Sequence, residues 1–102
     1  MSLLSLSNQH IDIWLIEPSK INDTELLAQY QSLITSDELT RVKRYLREKD
    51  QHSALITRIF VRCVLAHYAD IAPSDWLFGK GFNGKPFVKN QDVNLEFNLS
   101  HA

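Results

Sequence analysis

Ile11, Ile13 and Leu15 alternate with Asp12, Trp14 and Ile16, the period-two pattern of a strand buried on at least one face. Pro18 and the polar run from Ser19 to Asp23 end it. Asn22 is placed to cap a helix that carries Leu26, Leu27, Tyr30, Leu33 and Ile34 at helical spacing. Thr35 followed by Glu38 is a capping-box signature for a second helix, with Leu39, Val42, Tyr45 and Leu46 as its apolar stripe. From Gln51 to Tyr68 the apolar positions nearly encircle the helix axis, which predicts the central, most buried helix. The segment Asp70 to Pro73 ends it, because the residue before a proline resists helical geometry. Trp76 to Phe78 reads as a short strand. Pro86 to Val88 and Leu95 to Leu99 read as an antiparallel pair joined by the polar Lys89 to Asn94 loop. A strand, then helices, then strands predict an α+β domain with a small antiparallel sheet packed on a long central helix.

Composition adds bounds to this picture. A chain of 102 residues, 44% hydrophobic and 23% charged, suits one small domain with a modest core. Its formal net charge of −1 names no partner, so only local charge clusters are informative. Cys63 is the one cysteine and cannot form an internal disulfide; its apolar surroundings predict a buried, reduced thiol in a cytoplasmic protein. The start lacks a basic segment followed by a long apolar one, so no signal peptide is expected. Arg58 and Arg62 interrupt the longest apolar stretch, which is too short and too charged to cross a membrane.

The candidate chemistry sits near the end of the sequence. All three glycines fall in the segment Gly79-Lys80-Gly81-Phe82-Asn83-Gly84-Lys85-Pro86, where lysines interleave with them. Free backbone N–H groups beside two ammonium groups suit a phosphate, whereas the plainer reading is a hairpin turn with solvated lysines. No Walker-type spacing is present. If Val88 opposes Leu95, antiparallel pairing sets Lys85 opposite Asn98 and Asn83 opposite Ser100, with opposed α-carbons about 4.5–5.5 Å apart. The glycine-lysine loop and the Asn98-Leu99-Ser100-His101 tip would then form one anion-binding site. Ser100 and His101 are not read as a hydrolytic pair, because neighbouring strand residues point to opposite faces.

A second positive feature comprises Arg41, Lys43, Arg44, Arg47 and Lys49. Cations near a helix C-terminus suit its dipole, so a solvated face accounts for the cluster unless a ligand uses it. Nucleic-acid binding is the rival use, but the cluster is short and is expected to lack interleaved exposed aromatics for base stacking.

Gly84-Lys85-Pro86 followed by Phe97-Asn98-Leu99-Ser100-His101-Ala102 resembles the first two signature segments of the Sfp-type 4'-phosphopantetheinyl transferases. The stretch Arg44 to Arg62 resembles the helix that precedes them in that family. The resemblance implies one half of a two-half α/β fold with coenzyme A in the cleft between the halves. It also implies transfer of phosphopantetheine from coenzyme A to a serine of an acyl or peptidyl carrier protein. By position, Lys80, Gly81, Phe82, Asn83, Gly84, Lys85 and Pro86 match the segment that holds coenzyme A. Asn98, Leu99, Ser100 and His101 match the segment that touches its phosphates, His101 on the pyrophosphate. Lys49 matches a basic position on the nucleotide phosphate, and Arg44 is a further candidate for the same work.

The family's Mg²⁺-binding and proton-transfer residues follow the serine-histidine segment, and none has a counterpart here. The resemblance therefore assigns this chain, over residues 1–102, no catalytic residue and no metal ligand. It implies a truncated N-terminal, coenzyme A-facing half, inactive alone, that pairs with a second copy through the face left by the missing half. Neither nucleic acid nor membrane is an expected partner. The alternative is a short non-catalytic module that binds coenzyme A or another nucleotide.

Overall fold

The computed structural model describes residues 2–7, 10–82 and 84–100. The fold is α+β, as the residue pattern predicts, and it divides into two compact units. One runs from Glu17 to Ser74 and is helical; the other joins the chain up to Ile16 with the chain from Asp75 onward and holds the strands.

In the helical unit, α1 (Thr24–Tyr30) starts at Asp23 rather than Asn22. The Asp23 carboxylate accepts from the backbone N–H groups of Glu25 at 3.1 Å and Leu26 at 3.2 Å. A charged oxygen facing the positive end of the helix is the stronger cap. Asn22 instead donates from its amide to the Ser19 carbonyl at 2.9 Å. The expected capping box opens α2 (Ser36–Lys43): Thr35 Oγ1 accepts from Glu38 N–H at 3.2 Å, and Glu38 Oε1 accepts from Thr35 N–H at 3.1 Å. Ile34, Val42, Leu55 and Ile59 form a buried cluster, with Leu33, Leu39 and Ala54 packed against it.

Helix α3 (Glu48–Ala66) is the long central helix, and its buried positions include Leu55, Ile56, Ile59, Val61, Val64 and Leu65. One expectation on it fails, that of Cys63, and one charge on it is buried. Arg62, read as a charge interrupting an apolar run, is 1% exposed and ion-paired with Glu38. Its Nε lies 2.9 Å from Glu38 Oε1, its Nη2 contacts the same oxygen, and its Nη1 donates to the Pro73 carbonyl at 2.9 Å. Cys63 is exposed, not buried; partial burial among its neighbours still raises its thiol pKa above the ordinary value. One helical residue step turns a side chain by about 100°, enough to carry position 63 out of a face that holds 62 and 64. Among the described residues no helix is long and apolar enough to cross a membrane.

The strand unit holds two antiparallel sheets. In one, β1 (Ser2–Ser7) lies between β2 (His10–Leu15) and β5 (Leu95–Ser100). The other pairs β3 (Phe78–Lys80) with β4 (Pro86–Val88). Strand β1 was not anticipated, yet it is the centre of its sheet. A strand cannot satisfy its backbone alone, and the β2 pattern already required a partner. Trp14 and Ile16 are half-buried, whereas Ile13 and Leu15 are 68% and 75% exposed. Phe97 is buried on β5, and its ring meets that of Phe78 edge-on, centroids 5.8 Å apart. Trp76, expected to open a strand, precedes β3 and is fully buried.

Candidate functional site

The glycine-lysine segment is a β-hairpin loop. Strands β3 and β4 pair Phe78 with Val88, Gly79 with Phe87 and Lys80 with Pro86, leaving residues 81–85 as the connection. Gly79 lets the Phe87 ring lie across it, since a Cβ there would stand 2.7 Å from the ring. Gly81 N–H donates to the Lys85 carbonyl at 2.7 Å, and Gly84 N–H to the Gly81 carbonyl at 3.0 Å. Gly84 takes φ +80°, the left-handed turn conformation that glycine adopts without cost. Loop closure thus uses the N–H groups of Gly81 and Gly84, two of the donors the sequence offered for an anion. The lysine side chains of residues 80 and 85 are exposed, as is Phe82 at the tip.

The base of this hairpin is held by a residue the sequence reading passed over. Asn90 Oδ1 accepts from Leu77 N–H at 2.8 Å, and its Nδ2 donates to the Asp75 carbonyl at 3.0 Å. With Lys89 N–H donating to the Leu77 carbonyl at 2.8 Å, the Asn90 side chain extends the ladder beyond β4. An asparagine just after a strand and before a turn is the signal in the sequence, where the residue pattern otherwise shows only a polar loop.

The expected β4–β5 hairpin is absent among the described residues. Strand β4 pairs with β3, and β5 pairs with β1, so Asn98 stands opposite Leu4, Leu99 opposite Leu3 and Ser100 opposite Ser2. Length explains the choice: β5 and β1 match over six residues, whereas β4 offers three. Asn98 is therefore opposed by Leu4 and not by Lys85. Strands β4 and β5 are nonetheless spatial neighbours in one unit, so the loop from Lys80 to Pro86 and the exposed Asn98 and Leu99 belong to the same body. Asn83 and His101, also named as candidates, lie outside the described residues.

Lys49 is the second residue of α3, in the helical unit, and is exposed. Arg41 and Lys43 close α2, Arg44 caps it, and Arg47 is the N-cap of α3, all exposed. The first turn of α3 also carries Glu48 and Asp50, which suit the positive helix end. Tyr45 and Leu46 were expected on the apolar stripe of α2, but the helix stops at Lys43 and both are carried outward by the turn.

Among the described residues no three His, Cys, Asp or Glu side chains gather closely enough to hold a metal ion. Comparison with known proteins gives this arrangement its family. Residues 19–102 match the profile of the family described as "4'-phosphopantetheinyl transferase, N-terminal". A Synechocystis sp. protein provisionally named a 4'-phosphopantetheinyl transferase is 34% identical over 91 residues, which is 88% of this chain and 35% of that protein. A phosphopantetheinyl transferase of Thraustochytrium sp. is 32% identical over 75 residues, 72% of this chain and 26% of that protein. The chain therefore spans about a third and about a quarter of the length of these two relatives. No solved structure matches it significantly. With most of its length matched by the family profile, this chain belongs to the 4'-phosphopantetheinyl transferase N-terminal family.

Proposed function

We propose that this chain supplies the coenzyme A-facing surface of a 4'-phosphopantetheinyl transferase, an enzyme that moves phosphopantetheine from coenzyme A to a serine of a carrier protein. The observation that carries the reading is the β3–β4 hairpin. It sets Lys80 and Lys85 at the two ends of a glycine-rich loop, in the same unit as the strand bearing Asn98 and Ser100. Exposed ammonium groups contribute little to stability in that position, whereas a charge-assisted bond to a phosphate is worth about 1.5–3 kcal/mol. The Mg²⁺ that the family resemblance implies for a complete enzyme finds no group of three or more His, Cys, Asp or Glu side chains among the described residues.

Calorimetry with coenzyme A and dephospho-coenzyme A tests the site. Coenzyme A should bind, and Lys85→Ala and His101→Ala should each weaken it by about tenfold or more. Lys49 is tested separately: if it holds the nucleotide phosphate, Lys49→Ala removes the preference for coenzyme A over dephospho-coenzyme A. Equal binding by the wild type and all three variants would defeat the assignment.

The proposed homodimer draws support from the exposed Ile13 and Leu15 on β2, an outer strand of its sheet. Apolar side chains on a strand that ends its sheet among the described residues invite a second chain. Sedimentation equilibrium should give a two-fold species at micromolar concentration, dispersed by Leu15→Lys. A sharp monomer mass up to high micromolar concentration would exclude it.

A further inference from the structure

The turn between α2 and α3 presents an apolar side chain within a run of exposed cations. Leu46 is 99% exposed and Tyr45 47%, in a chain that has a buried cluster available to apolar side chains. Residues 41–50 hold Arg41, Lys43, Arg44, Arg47 and Lys49 against Glu48 and Asp50, five cations to two acids, although the whole chain carries a formal net charge of −1. Of these ten residues only Val42 is buried. The rest of the chain is correspondingly acidic, so the cationic character is concentrated on this one turn.

The turn is held in shape. Arg44 N–H donates to the Arg41 carbonyl and Tyr45 N–H to the Val42 carbonyl, each at 3.2 Å. Gln51 Nε2 reaches back from α3 to the Tyr45 carbonyl at 2.8 Å. Buried Val42 and the start of α3 at Glu48 pin its two ends. A turn whose backbone is already held loses little backbone freedom on binding, which favours the apolar side chain at its tip as an interface anchor.

We infer that the Arg44–Arg47 turn is a docking surface for an acidic protein partner, with Leu46 seated in a small apolar pocket of that partner and Arg41, Lys43 and Arg47 paired to its carboxylates. The inference rests on the carrier-protein reading given above, and it assigns the carrier to this turn. Charge complementarity selects the partner's sign, and the lone leucine selects a protein. A membrane surface is engaged by an extended amphipathic face, which one leucine and half a tyrosine do not make. Single-stranded nucleic acid stacks successive bases on several aromatic side chains, and the turn offers Tyr45 alone.

The test uses the intact chain and three probes: a purified apo acyl carrier protein of acidic pI, vesicles of equal parts phosphatidylcholine and phosphatidylglycerol, and a single-stranded oligonucleotide. The wild type should bind the carrier, with affinity that falls as salt rises. Leu46→Asp and Arg47→Glu should each weaken it about tenfold or more, while Leu26→Asp, an exposed apolar position elsewhere, leaves it unchanged. Circular dichroism verifies that the variants fold. Carrier binding that is indifferent to both turn variants overturns this inference and leaves the carrier-protein reading standing. Binding to vesicles or oligonucleotide, with none to the carrier, overturns the partner assigned here. Absence of carrier binding in a chain that still binds coenzyme A also overturns it, while retaining the coenzyme A site.

Discussion

Glu38→Ala should destabilise the protein by about 3–5 kcal/mol, a large fraction of the roughly 5–15 kcal/mol that holds a domain of this size together. The substitution does two things at once. It removes the carboxylate that completes the α2 capping box with Thr35. It also takes away the counter-charge of Arg62, whose side chain is 2% exposed. A guanidinium cannot shed its proton at any accessible pH, so a buried arginine without its carboxylate keeps an uncompensated charge. The pair is therefore costlier to break than to have lacked from the beginning. Glu38→Ala combined with Arg62→Met should recover much of the loss, because no charge is then left buried. Urea unfolding of the two single variants and the double variant measures this. A Glu38→Ala variant within about 1 kcal/mol of the wild type would mean that Arg62 is satisfied without Glu38.

Trp76→Ala is expected to cost about 3–5 kcal/mol, the usual range for emptying a fully buried aromatic site. Trp76 is 0% exposed and the largest of the fully buried side chains. Trp76→Phe should cost less, since a ring remains to fill most of the volume. Trp14 is the only other tryptophan and is half-buried, so fluorescence continues to report unfolding in both variants. A loss for Trp76→Ala below about 1 kcal/mol would mean that the surroundings collapse into the vacated space.

Local chemistry made much of this fold legible in the sequence. The Thr35–Glu38 capping box, the long helix and the positions of β4 and β5 all depend on contacts within a few residues, or on a hydrophobic period that one segment carries by itself. The segments that carry the family resemblance are likewise short and contiguous. Strand pairing is of another kind. Nothing in Pro86–Val88 or Leu95–Ser100 specifies a partner, so their proximity in sequence suggested a hairpin, while six-residue matching gave β5 to β1 and the space above Gly79 gave β4 to β3. Arg62 shows the same limit. In sequence it was a charge that interrupts an apolar run, and only the meeting of α2 with α3 supplied the carboxylate, 24 residues away, that lets it be buried. Tyr45 and Leu46 continue the helical period of α2 on paper, but the turn that launches α3 takes them to the surface. The sequence by itself determined the capping box that opens α2, the extended segments β2, β4 and β5, and the residues that carry the family's signature, because each is a property of one short segment. Tertiary structure alone decided which strands pair, which charge is buried and which apolar residues face water, because each depends on a partner distant along the chain.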